Sequence, residues 1–353
     1  MARVNPGVAS ALIAAVLFGA STPLAKGLLQ GVSPLLLAGL LYTGSGLGLL
    51  ILLALRRQRP AASRTPQSGF RARELAWLAG AIGAGGVLAP VLMLLGLSRL
   101  GAAQASLLLN LEGVLTALFA WFVFRENFDR RIALGMAAIV IGGVVLSWDP
   151  ASLAGFSTGA LLVAGACACW ALDNNLTRKI ATHDALVIAC AKGLVAGAVN
   201  LTLAAVRGAH WPALEVTGGA LLVGFLGYGV SLTLFVVGLR QLGAARTGAY
   251  FSLAPFFGAA LAIPLQGEPV STALLIAGAL MGLGVWLHLS ERHVHEHAHE
   301  ALMHEHPHSH DEHHRHVHNF AWDGAEPHTH SHDHRPLVHA HAHFPDIHHR
   351  HRH

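Results

Sequence analysis

The sequence predicts an all-α polytopic membrane protein, with ten transmembrane helices arranged as two inverted five-helix repeats ahead of a polar tail. Three observations carry that prediction. Hydrophobic residues make up 53% of the 353 residues and charged ones only 12%, about half the share expected of a soluble domain. Apolar runs of about twenty residues recur up to residue 290. A stretch of the first half also returns in the second at constant spacing.

The apolar runs place spans at 7–29, 33–55, 75–98, 100–124, 132–148, 157–177, 184–206, 217–239, 243–265 and 272–289. The 39 glycines suit close helix packing in lipid, and no ten-residue alternation points to a β-barrel. Pro23, Pro90, Pro255 and Pro264 fall inside spans and should kink them. Only Arg3 precedes the first run and no A-x-A cleavage site follows it, so it reads as a retained span. Cys167, Cys169 and Cys190 all lie in apolar runs and make no disulfide framework.

Loop charge sets the orientation. A cytoplasmic N-terminus puts 14 basic residues inside: Arg3, six arginines over 56–74, Arg125, Arg130, Arg131, Arg178, Lys179, Arg240 and Arg246. Lys26, Arg99 and Arg207 are left outside. The positive-inside rule then expects both termini in the cytoplasm of a multi-pass bacterial inner-membrane protein.

The duplication is explicit. Gly96-Leu-Ser-Arg-Leu-Gly-Ala-Ala-Gln104 returns as Gly238-Leu-Arg-Gln-Leu-Gly-Ala-Ala-Arg246, an offset of 142. The same offset carries Glu126 onto Glu268 and Gly142 onto Gly284. Nearer the start of each half, Phe18–Lys26 lines up with Trp170–Arg178. Five spans per unit is an odd number, so the second copy enters the membrane the other way up. Residues 1–149 and 150–290 are the repeats, and 291–353 is the tail.

Phe124-Arg-Glu126 and Gln266-Gly-Glu268, each closing a fourth helix, and the Gly-rich fifth helix from Gly135 to Gly143 resemble tandem EamA domains of the drug/metabolite transporter superfamily. The resemblance implies ten helices, cytoplasmic termini and secondary transport, often export. Two positions depart from the usual pattern. A mid-helix proline survives as Pro255, but Gly113 stands at its counterpart. Lys192 is present in the second half, while its counterpart near Leu41 and Tyr42 is uncharged. A histidine-rich tail resembles the branch linked to nickel and cobalt resistance.

Of the 26 histidines, all but His183, His210 and His288 lie in the last 64 residues. They run as His293, His295, His297, His299, then His304, His306, His308, His310, later His328, His330, His332, His334, and finally His339, His341, His343. Neutral imidazole binds borderline divalent metals, and Glu296, Glu300, Glu305, Asp311, Glu312 and Asp333 add oxygen ligands. The composition cannot bury a core, so a disordered tail with loose sites for Ni, Co or Zn is expected. A pH sensor is the competing reading.

Ionisable groups within spans are costly and mark function by default. Glu112, with Asn110 nearby, is expected to bind metal or proton; packing through a protonated or Lys-paired carboxyl is the plainer account. Asp173, flanked by Asn174 and Asn175, has Cys169 one turn earlier as a soft metal ligand, or else sits solvated near Arg178 and Lys179. Lys192 either neutralises one of these carboxylates or recognises an anionic solute. Lys26 should snorkel outward. His183 and Asp184 hand over an ion or start a helix, with Asp184 as N-cap. Glu126 and Glu268 serve structure, as helix-end caps or partners of loop arginines, and His288 sits at the interface.

The function expected is proton-coupled export of a divalent transition metal, nickel or cobalt first. The alternatives are a metabolite or drug exporter whose tail only buffers metal, and a membrane-anchored metal store. No cofactor is required. Partners are membrane lipid, divalent metal ions and protons, with a homodimer allowed and no nucleic acid. No nucleophile–base arrangement or phosphate loop is present, so the chain does not read as an enzyme.

Overall fold

The computed structural model describes residues 6–57, 70–124, 130–152, 155–180, 183–242 and 244–289 of the body, and 293–299, 302–308, 328–334 and 337–343 of the tail. Expectations resting on Arg3, Arg59, Arg64, Arg125, Glu126, Glu300, His310, Asp311 and Glu312 lie outside the described residues.

The body is helical along its described length. In chain order the helices are α1 (Pro6–Leu28), α2 (Pro34–Arg57), α3 (Ala72–Leu97), α4 (Ala102–Leu108 and Asn110–Phe124) and α5 (Arg130–Ser147). The second half follows with α6 (Thr158–Thr177), α7 (Ala185–Val206), α8 (Leu214–Gly224, Phe225–Val230 and Ser231–Leu242), α9 (Ala244–Phe251 and Ala254–Gln266) and α10 (Thr272–Leu289). Each overlaps one expected span. Among the described residues, 8 of the helices are long and apolar enough to cross a membrane, and Thr272–His288 is a shorter apolar helix. α6 falls short on composition because Asp173, Asn174 and Asn175 share its last turns. Large apolar side chains such as Ile13, Phe122, Leu134 and Trp286 are exposed, as lipid-facing residues must be.

The halves are interleaved. α1 packs on α8 and α9, as α6 packs on α3 and α4; α2 packs on α8, as α7 packs on α3. α2 with α7, α4 with α9 and α5 with α10 meet their own counterparts. Exchanging the repeats maps this contact pattern onto itself, the mark of a pseudo-two-fold arrangement. At the α2–α7 crossing, a Cβ on Gly193 would lie 2.8 Å from the Cα of Gly46, so the backbones meet with no room for a side chain.

Two helices change winding at matching places. α3 has a π-helical turn at Ile82–Leu88 and α8 has one at Phe225–Val230, which the 142 offset superposes to within a residue. In α3 the turn runs into Pro90, which donates no N–H and leaves the carbonyls of Gly86 and Gly85 without their helical partners. Side chains from other helices take them. Asn200 Nδ2 donates to Gly86 O at 3.1 Å, while Tyr42 Oη (2.7 Å) and Trp170 Nε1 (3.0 Å) donate to Gly85 O. Pro255 opens the second segment of α9 after a break at Ser252–Leu253; Pro23 and Pro264 lie inside helices.

The tail differs from expectation. Where composition predicts no regular structure, 293–299 (β1), 302–308 (β2), 328–334 (β3) and 337–343 (β4) are extended. β1 pairs antiparallel with β4, and β2 with β3. The register sets His295 against His341 and His306 against His330. The H-x-H alternation has the period of a strand, and a two-stranded ladder forms through backbone bonds without needing a core. The tail is a compact unit of its own.

Candidate functional site

Asp173, which is buried, and the half-buried Glu112 and Lys192 gather where α4 of the first repeat meets α6 and α7 of the second. Lys192 Nζ lies 2.6 Å from both Asp173 oxygens and 3.4 Å from Thr177 Oγ1. Thr177 in turn donates to Asp173 Oδ1 at 2.9 Å. Asp173 is 5% exposed, so its charge is compensated by a fully ligated ion pair. It fits there because of Gly85: a Cβ at that position would overlap the Asp173 carboxylate. The π turn therefore both shapes the backbone beside the ion pair and supplies the glycine that admits it.

Glu112, on α4, is held by Asn174, which follows Asp173 by one residue along α6. Asn174 Nδ2 donates to Glu112 Oε1 at 2.9 Å and reaches Thr116 Oγ1 at 3.3 Å. Asn175 Nδ2 adds bonds to Thr116 O (3.2 Å) and Ala171 O (2.9 Å), fastening α6 to α4. Among the described residues, no cation is ion-paired with Glu112. These three charges thus divide into a closed pair and one carboxylate held by an amide.

Not every expected partner is present. Asn110 does not join Glu112: its amide donates to Leu107 O (2.9 Å) and lies 3.8 Å from Met281 Sδ in α10. Residues two apart on a helix face directions about 200° apart, so adjacency in sequence was a poor guide. Asp173 is not a solvated neighbour of Arg178 and Lys179, because Lys192 holds it. Cys169 is half-buried; Cys167 and Cys190 are buried, with sulfurs near Leu108 O (3.7 Å) and Gly46 O (3.5 Å). Among the described residues, no three His, Cys, Asp or Glu side chains converge as a metal-binding group. The tail histidines His293, His295, His297, His299, His304, His306, His308, His328, His330, His332 and His334 are placed by backbone register.

Other polar groups serve structure. Asp184 is the N-cap of α7, accepting from Leu186 N at 2.9 Å. Glu268 accepts from the N–H groups of Ala102 and Ala103, capping α4 from the opposite repeat. Lys26 turns inward, donating to Leu97 O (2.6 Å) and Leu100 O (2.8 Å) at the end of α3. His288 Nε2 lies 3.1 Å from Ile132 O.

A small cleft is lined by Thr22, Ala25, Met93, Leu97, Trp170 and Tyr228, drawn from both repeats. Tyr42 and Tyr228 stack with centroids 5.8 Å apart, and Phe18 meets Tyr228 edge-on at 5.8 Å. Tyr42, Trp170, Thr116, Thr177 and Asn200 were not singled out from sequence. Pro90, four residues after Gly86 and five after Gly85, was the available signal, since the carbonyls it frees need donors from elsewhere.

Interleaved inverted repeats, with polar groups at mid-span between them, define a helical membrane carrier. Residues 5–148 and 157–290 both match the EamA-like transporter family, and the chain belongs to it, within the drug/metabolite transporter superfamily. It is 30% identical over 301 residues to an uncharacterized transporter of Methanothermobacter thermautotrophicus, covering 80% of this chain and 85% of that one. It is 23% identical over 203 residues to the uncharacterized transporter YyaM of Bacillus subtilis, covering 55% and 66%. A solved protein structure 22% identical in sequence matches the fold with a TM-score of 0.57, over 79% of this chain and 95% of that one.

Proposed function

We propose that this transporter exports a divalent transition metal, nickel or cobalt first, from the cytoplasm in exchange for protons. The observation that carries the reading is the division among these intramembrane charges. Asp173 and Lys192 neutralise each other, and Glu112 is left on an amide between the repeats. A metal can bind that carboxylate only when it carries no proton, so one group can exchange one cargo for the other. The positive-inside count supports cytoplasmic termini and an inner-membrane location. The histidine blocks would then raise the metal concentration at the loading side, as a tethered ligand does.

A second reading has its own support. Trp170 and Tyr228 line the cleft, and Tyr42 stacks on Tyr228; such aromatic surface suits an organic solute, with the tail only buffering metal.

Proteoliposomes with an imposed proton gradient separate the two. Metal export predicts gradient-driven Ni²⁺ or Co²⁺ flux that is abolished by Glu112→Gln and weakened by truncation after Ser290. Silence towards every first-row divalent ion would end that proposal, and amino-acid or drug flux in its place would establish the second.

A further inference from the structure

Two contacts join the repeats at the end of the bundle where α2 stops and α3 and α7 start. Arg56 Nη1 lies 2.6 Å from Asp184 Oδ2, linking the last turn of α2 to the N-cap of α7. His183 Nε2 lies 3.2 Å from Glu74 Oε2, linking the approach to α7 with the first turn of α3. Phe70 covers the His183 ring, with centroids 4.1 Å apart. Both carboxylates are already fixed by their own helices: Leu186 N donates to Asp184 Oδ1 at 2.9 Å, and Arg71 N to Glu74 Oε2 at 2.7 Å. The carboxylates are thus preorganised for their cross-repeat partners and lose little side-chain freedom of their own on pairing.

The duplication does not supply this arrangement at the other end. The matching N-caps Ser33 of α2 and Asp184 of α7 give an offset of 151 here, which sets Val32 and Ser33 opposite His183 and Asp184, and Arg207 opposite Arg56. The 142 offset sets Val216 opposite Glu74. Val32, Ser33 and Val216 carry no charge, so neither ion pair has a counterpart. The Glu268 cap, by contrast, has a sequence counterpart in Glu126. The cleft lies away from the paired end as well, since Thr22, Ala25, Met93 and Leu97 belong to the last turns of α1 and α3.

An inverted-repeat carrier moves between states in which its halves exchange roles, so a perfectly duplicated chain would favour neither. We propose that Arg56–Asp184 and His183–Glu74 form a latch that keeps this end shut, making closure here the resting state, and that the latch opens once in each transport cycle. The Gly46–Gly193 crossing is the natural fulcrum. Arg56 lies about 15 Å along α2 from Gly46, so a rotation of about 10° there moves the latch by roughly 2.6 Å, enough to part both contacts. The positive-inside orientation puts the latch on the cytoplasmic side, and the inference is independent of what is carried.

The test reads access to the cleft from each side. Thr22→Cys is introduced into full-length protein lacking Cys167, Cys169 and Cys190, in inside-out and right-side-out vesicles, and labelled with a membrane-impermeant maleimide. Asp184→Asn and Glu74→Gln keep an oxygen for each helix cap and remove the charge. With both, labelling from the latch side should rise about tenfold and fall from the opposite side. Arg56→Gln should move it the same way, and Arg56→Lys should restore the parental pattern. If folded charge-neutral variants label like the parent from both sides, the latch does not set the resting state.

Discussion

Replacing Lys192 with Met isolates what the ion pair contributes. The Asp173 side chain is 7% exposed and would keep only the Thr177 hydroxyl, at 2.9 Å, among its contacts described above. Breaking a buried pair from one side costs about 3–5 kcal/mol, because the remaining charge is uncompensated. For a chain of this size that corresponds to a fall in Tm of roughly 6–10 °C, at about 2 °C per kcal/mol. Removing both partners, as Lys192→Met with Asp173→Leu, takes the unpaired charge away and should bring stability back to within about 1 kcal/mol of the parent. The assay is thermal unfolding in detergent followed by a thiol-reactive fluorogenic dye, for which buried Cys167 and Cys190 are built-in reporters. If the single variant melts with the parent, or the double variant melts as low as the single, the pair does not hold α6 to α7 as described.

The carbonyl freed by Pro90 gives a second prediction. Asn200→Leu leaves Gly86 O without its donor and should cost about 1–3 kcal/mol, read as a lower melting temperature in the same assay. Glu268→Ala removes the cap on α4 and should cost about 1 kcal/mol, with Glu268→Gln recovering part of it. Metal retention by the tail should fall as pH drops through about 6.5, because a protonated imidazole has no lone pair to offer. Equilibrium Ni²⁺ binding to full-length protein and to the truncation after Ser290 checks this; a pH profile that survives truncation would contradict it.

The spans and the duplication were legible because each is local or periodic. Twenty apolar residues announce themselves, and the 142 offset that relates Gly96 to Gly238 also relates the two π turns. The site was legible in its residues and not in its pairings. Glu112, Asp173 and Lys192 stand out as charges in apolar runs, yet which carboxylate Lys192 meets depends on how α6 and α7 face each other. Asn110 misled because the chain distance to Glu112 is short while the angular distance is large. The contact between Arg56 and Asp184 spans 128 residues and leaves no trace in either local pattern.

The pairing order of the tail bears on how its length can vary. Because the first histidine block lies against the last and the inner two against each other, the hairpin is nested. Trimming the C-terminus back to residue 336 would therefore strip the partner from 293–299, the block closest in sequence to α10, and leave the pairing of 302–308 with 328–334 in place. Shortening from the end undoes the root of the appendage before its middle, so deletions of increasing length should not act as a graded series.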